Sequence, residues 1–147
     1  MFRPEAPDAQ REQELMLLME QNKTRLMRMT YMYLGDQAMA EEAVQDTFLK
    51  AYAHLDRFRG DSRPETWLTR IAINTCKDTL RSSWMRHIDR HQTIEALPLS
   101  ITPNNEERLA LTQAIMALAP KYKEIVLLYY YQDLTLRTCA QILGISA

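Results

Sequence analysis

A chain of 147 residues, 46% hydrophobic and 25% charged, has the make-up of a globular protein of one domain or two small ones, which argues against disorder throughout. Its longest uninterrupted apolar run, Leu15 to Met19, is far below the roughly 20 residues of a membrane span, and the opening MFRPEAPDAQREQE lacks a basic-then-apolar signal, so no membrane insertion and a cytoplasmic location are expected. The net charge of −1 speaks against a uniformly nucleic-acid-binding surface, yet the charge is unevenly spread: residues 36–56 hold Asp36, Glu41, Glu42, Asp46 and Asp56 against Lys50 alone, whereas residues 63–91 hold six basic residues against three acidic ones, which suggests two different partners.

In chain order, residues 1–13 read as a flexible tail. Leu15, Met19, Leu26, Met29 and Tyr33 then step by threes, fours and sevens, which predicts a one-sided helix closed by Gly35. A second helix is predicted from about Met39 to Leu55, with Ala40, Val44, Phe48, Ala51 and Leu55 facing inward. A third starts near Pro64, a residue favoured in a first turn, and runs to about Ser83. These three form one bundle over residues 14–85. Residues 86–105 have no sustained period and contain Pro98 and Pro103, so they read as a linker between domains. Residues 106–147 give a helix stopped by Pro120, a second in KYKEIVLLYYYQD, and a third from Thr135 to Leu143 before Gly144. The expected fold is therefore all-α: two small helical domains joined by an irregular linker.

The third helix separates its residues by face. Leu68, Ala72, Ile73, Cys76 and Leu80 lie to one side, and Arg70, Asn74, Lys77 and Arg81 lie together on another, where they could meet phosphates. RFRGDS, residues 57–62, places an aromatic residue, a permissive glycine and polar side chains beside that basic face, and such a loop could stack or pocket an extruded base. An ordinary interhelical turn fits the same six residues. Cys76 and Cys139 have no CxxC or neighbouring His pair and are expected to be small buried thiols. His87 and His91 are four apart without a third ligand, so neither a metal nor any other cofactor is expected. The three tyrosines at 129–131 would point in three directions from a helix and are expected to serve ordinary packing. LTLRTCAQILGISA, residues 134–147, reads as the bracing helix and turn of a helix-turn-helix, whose second helix would enter the major groove.

The stretch AEEAVQDTFLKAYAHLDRFRGDSRPETWLTRIAINTCKDTLR, residues 40–81, resembles domain 2 of the extracytoplasmic-function group of bacterial RNA polymerase sigma factors. LTQAIMALAPKYKEIVLLYYYQDLTLRTCAQILGIS, residues 111–146, is similar to the start of domain 4 in the same family. The resemblance implies an alternative sigma factor, with no catalytic residue. It implies docking of the second helix on core RNA polymerase through Gln45, Asp46, Phe48, Lys50 and Ala51. It further implies capture of a flipped minus-ten base by Arg57, Phe58, Arg59, Gly60, Asp61 and Ser62, and contact of Arg70, Asn74, Lys77 and Arg81 with promoter DNA. The implied partners are core polymerase, promoter DNA and an anti-sigma factor, with the free chain a monomer.

The sequence departs from the family at RPE, residues 63–65, and at Thr138, Cys139 and Ala140, where Glu-Ile-Ala is common. It stops at the turn after the bracing helix, which reads as truncation and would leave Ile142, Leu143 and Ile145 poorly covered. A polymerase-binding regulator that does not recognise promoters alone, and a simple helix-turn-helix repressor, remain alternative readings.

Overall fold

The computed structural model describes residues 8–58, 60, 63–86 and 105–145. Among these there are six α-helices and no strand. The first, α1 (Asp8–Leu34), begins inside the stretch expected as a tail and buries Leu15, Leu18, Leu26, Met29 and Tyr33. It stops at Gly35, whose φ of 74° is in the left-handed region and whose N–H donates to the Tyr31 carbonyl at 2.7 Å. Asp36 then caps α2 (Gln37–Ala53), its carboxylate accepting from the Met39 N–H at 2.9 Å. Ala40, Ala43 and Ala51 are wholly buried along α2, and Ala72 is likewise on α3 (Pro64–Arg86). Small side chains at these positions let the three helix axes approach closely, and Leu68, Ile73 and Cys76 fill the space between them.

The expected linker lies almost entirely at 87–104, outside the described residues. Beyond it come α4 (Asn105–Met116) and α5 (Pro120–Val126), the latter with proline in its first turn. A π-helical turn (Leu127–Tyr131) follows, closed by a 3.1 Å bond from the Gln132 N–H to the Leu127 carbonyl. The widened turn carries two successive leucines, Leu127 and Leu128, both fully buried. Helix α6 (Leu136–Leu143) is capped by Thr135, whose hydroxyl accepts from the Thr138 N–H at 3.1 Å, and it ends on Gly144 at φ 69°.

The two helical groups share one apolar cluster. Helix α1 touches α4, α5 and the π turn, and Ile115, Leu127, Leu128, Cys139 and Ile142 are continuous with the core of the first bundle. Two features differ from the sequence reading. Ile142 is buried and Leu143 half-buried, because α6 folds back on the π turn, while Ile145 stays 55% exposed. Tyr129 and Tyr130, expected to serve ordinary packing, are 38% and 73% exposed and lean edge-to-face on each other at 4.9 Å, while Leu127 and Leu128 of the π turn face inward.

Position in this core predicts stability. Leu26→Ala, at a site with no exposure, should cost about 2–5 kcal/mol. Leu49→Ala, at a side chain 68% exposed on α2, should stay within about 0.5 kcal/mol. Urea midpoints of the two variants at unchanged slope check the contrast.

Candidate nucleic-acid interface

The amphipathic pattern of α2 leaves Gln45 and Asp46 exposed and Phe48 half-buried at the surface. The other two residues expected to dock on a partner there do not present themselves. Ala51 has no exposure, because its methyl group is part of the packing against the neighbouring helices. Lys50 extends across to α3 and donates from Nζ to Thr75 Oγ1 at 3.0 Å, so its ammonium braces two helices. It also lies near Cys76 and draws that thiol's pKa down, although burial dominates and pushes it up to about 12. Cys139 is likewise buried and its pKa raised by desolvation.

Between α1 and α2 runs a groove of about 450 Å³. Its apolar lining comes from Met16, Met19 and Met27 of α1 with Val44 and Phe48 of α2, and Glu20, Lys23 and Glu41 stand at its polar margin. Methionines are flexible and polarisable, which suits a surface that must mould to another helix. Nearby, Leu17, Leu49 and Tyr52 are more than half exposed. The three groove methionines escape sequence reading because their spacing on α1 is that of core residues; only the density of methionine, nine in the chain, hints at a second use.

After α2 the chain makes a single 3₁₀ turn (Leu55–Arg57) into the loop. Arg57 is exposed, and Gly60 adopts φ 79°, which a side chain would strain. Arg59, Asp61 and Ser62 lie outside the described residues. Phe58 is only 4% exposed, its ring tilted 48° against Trp67 with centroids 5.0 Å apart. It is the loop's anchor and offers no free face to a base, which corrects the stacking role expected of it. Two arginines of α1 brace the elements on either side of the loop, and neither is visible as a site residue in sequence. The buried Arg11 donates to the Leu55 carbonyl. Arg25 donates to Asn22 Oδ1 at 3.0 and 2.8 Å and to Thr69 Oγ1 at 3.1 Å, tying α1 to the first turns of α3; burial lowers its pKa, opposed by nearby Glu65.

On α3, Arg70, Asn74 and Arg81 are exposed and Lys77 is half-buried, at the spacing that puts all four on one face. Arg81 approaches Asp78 at 3.9 Å and Arg63 approaches Glu65 at 3.7 Å, but these solvent-exposed pairs leave the basic character of the face largely available. The same helix therefore spends one side on the core and the other on a row of cations.

The family model described as sigma-70 region 2 matches residues 18–86, and that described as sigma-70 region 4 matches residues 108–147, so that the two account for most of the chain in the order of the helical groups. The chain belongs to the sigma-70 family. It is 39% identical over 82 residues to the RNA polymerase sigma-H factor of Pseudomonas aeruginosa, covering 56% of this chain and 42% of that protein. It is 28% identical over 137 residues to the ECF RNA polymerase sigma factor SigW of Bacillus subtilis, covering 84% of this chain and 73% of that one. The chain thus spans less than half the length of the Pseudomonas relative. Its fold is that of the sigma factor RpoE from Bartonella quintana, solved in complex with the anti-sigma factor NepR, with a TM-score of 0.73 at 21% identity over 92% of this chain and 83% of that one. Sigma-70 proteins form a family of transcription initiation factors and not of enzymes. The region 2 match contains the loop, the basic face of α3 and the groove lining apart from Met16.

The burial of Phe58 yields a measurable difference from a surface residue. Phe58→Ala should lower stability by about 3–5 kcal/mol, and Arg57→Ala, at an exposed position, by about 0.5 kcal/mol or less. Thermal unfolding of the two variants checks this; equal midpoints would mean that the Phe58 ring is free.

Proposed function

We propose that the chain is an alternative sigma factor that directs core RNA polymerase to promoters and opens the minus-ten element with its first helical group. One observation carries the reading: a single three-helix bundle, matched to sigma-70 region 2, presents an acidic, methionine-lined groove on α1 and α2 together with a cationic face on α3. The groove is a docking surface for a helical element of the polymerase, with Gln45, Asp46 and Phe48 at its α2 side. Lys50 and Ala51 act behind that surface, the one as a brace to α3 and the other as packing.

Strand opening without ATP requires that the open strand be bound better than the duplex. Unstacking a base costs a few kcal/mol, and a stacked or pocketed base returns about 1–3 kcal/mol, so the exchange is near balance and weakly stacked sequences open first. In this division Arg57, Arg59, Gly60, Asp61 and Ser62 hold the extruded base, while Phe58 and Trp67 fix the loop from the inside. Arg70, Asn74, Lys77 and Arg81 hold the adjoining duplex through phosphate. The solved relatives CnrH and RpoE are complexes with the cytosolic domain of CnrY and the anti-sigma factor NepR, and an anti-sigma factor is the regulatory partner that this likeness supports for the present chain. Among the described residues no helix is long and apolar enough to cross a membrane. A cytoplasmic monomer that meets polymerase there is the setting this function requires.

Two experiments test the division. Asp46→Arg or Phe48→Ala should abolish co-purification with core polymerase while leaving helical content intact, and undiminished binding by both would overturn the docking surface. Asp61→Ala should spare core binding but weaken opening of the minus-ten element. Lys77→Ala and Arg81→Ala should instead weaken DNA binding across sequences and reduce the salt slope by about 1 for each phosphate that is no longer neutralised. Salt titrations on matched and pre-melted promoter fragments separate the two classes, and identical behaviour would overturn the assignment.

A further inference from the structure

The sulfur atoms of this protein differ in what can reach them. Both thiols, Cys76 and Cys139, are buried, and desolvation holds each in its protonated form. An enclosed, protonated thiol reacts poorly with oxidants. A thioether has no proton to lose, so its reactivity follows from whether an oxidant can touch the sulfur. Among the described methionines, Met29, Met32 and Met39 are only 1%, 5% and 7% exposed, and Met116 of α4 is half-buried. Met16 is 67% exposed, and Met19 and Met27 are half-buried at the surface of α1.

These last three are not scattered. Steps of three and eight residues bring Met16, Met19 and Met27 to one side of α1, where all three line the groove that faces Val44 and Phe48 of α2. The apolar wall contributed by α1 is therefore built from thioethers. A thioether is apolar, flexible and favourable beside an aromatic ring such as Phe48. Its sulfoxide is polar and chiral, and it disrupts methionine-rich surfaces of this kind. Oxygen added at these sulfurs would change the chemistry of the groove while the buried methionines of the core stay as they are.

We propose that Met16, Met19 and Met27 form a modification site, at which a hydroperoxide converts the thioethers to sulfoxides and the groove then ceases to accept a helical partner. The site follows from accessibility alone; its effect on docking rests on the sigma reading. In each conversion a sulfur lone pair attacks one peroxide oxygen. The O–O bond breaks, an S–O bond forms, and the departing oxygen takes the hydroxyl proton to leave as water or an alcohol. Sulfur is oxidised by two electrons and the peroxide is reduced by two. Methionine sulfoxide reductases reverse the change, one enzyme for each sulfoxide epimer, so the groove can regain its apolar wall.

The test treats the full chain with hydrogen peroxide, locates added oxygen by peptide mass, and measures binding to core polymerase beside circular dichroism. Met16, Met19 and Met27 should gain oxygen ahead of Met29, Met32 and Met39, with Met16 first. Core affinity should then fall about tenfold or more at unchanged helicity, the scale set by burying one methionine side chain. The two sulfoxide reductases together should restore it, which separates thioether from thiol oxidation. The triple variant Met16→Leu, Met19→Leu, Met27→Leu, compared only with itself, should bind core equally before and after peroxide. Oxygen spread evenly over all six methionines overturns the site. Undiminished core binding by the oxidised, helical parent overturns the regulation, as does a loss that the reductases leave in place or that the leucine variant shares. Should the leucine variant not fold, reversal in the parent decides. A chain that oxidises in the expected order yet binds no core polymerase even when reduced upholds the site and refutes the docking reading, and the regulation with it.

Discussion

From Met29 to Leu34 every residue of α1 is buried, six in succession, which no helix achieves against one neighbour. An amphipathic helix hides one stripe; a turn hidden all round needs walls on every side and partners for its terminal carbonyls. Helices α2 and α3 cover part of this segment, and α5 with the π turn covers another. The remaining architecture follows from that requirement. Gly35 must turn the chain within one residue so that Asp36 can start α2 close by, and the second helical group must bring a cation, Lys123, to a helix end that has none.

With the inner faces committed to α1, the outer faces of α2 and α3 are what the first bundle has left for recognition, and they are kept apart by chemistry. On α2 the surface beside the groove is acidic, and the methionines across it come from α1. On α3 it is cationic. Between them, the elements that flank the loop are held by Arg11 on the Leu55 carbonyl, Phe58 on Trp67, and Arg25 on Thr69. A loop tied at both ends to a buried scaffold can place a few side chains with little ordering cost on binding. Positioning and contact are thus divided between residues that lie only a few places apart.

The helices and their stops were legible because glycine and proline act locally: Gly35, Pro64, Pro120 and Gly144 end or begin elements for reasons contained in their own backbone. The row Arg70, Asn74, Lys77 and Arg81 was legible for the same reason, since period alone puts it on one face. What escaped was everything decided by distant chain. Phe58 in RFRGDS has one local pattern whether its ring faces water or Trp67, nine residues on, and only the folded position of α3 decides. Asp8 to Gln13 read as tail because no large apolar residue marks the stretch, yet the buried arm of Arg11 and the Glu12 carboxylate, which accepts from the Tyr52 hydroxyl, give the first turns of α1 tertiary contacts. The bonds between Tyr33 and α5 span 90 and 91 residues and leave no local trace. The groove methionines were visible as residues but not as a site, because helical spacing does not distinguish a core stripe from a docking stripe.

Lys50 shows how such distant contacts alter a charge pattern that sequence had counted correctly. It is the one lysine or arginine among residues 36–56, so by count it tempers the acidic surface of α2. Its ammonium is instead drawn toward α3 by Thr75, while Glu41, Glu42 and Asp46 remain exposed. The outward surface is therefore more acidic than the sequence total, and the positive charge is moved toward the helix that already carries Arg70, Lys77 and Arg81. Fields from exposed charges fade over a Debye length of about 8 Å at physiological salt, so a partner approaching α2 senses chiefly the nearby carboxylates and one approaching α3 chiefly the cations. A single bundle with almost no net charge can in this way attract a basic surface on one side and phosphate on the other, and the brace from Lys50 to Thr75 sharpens that difference while it joins the two helices.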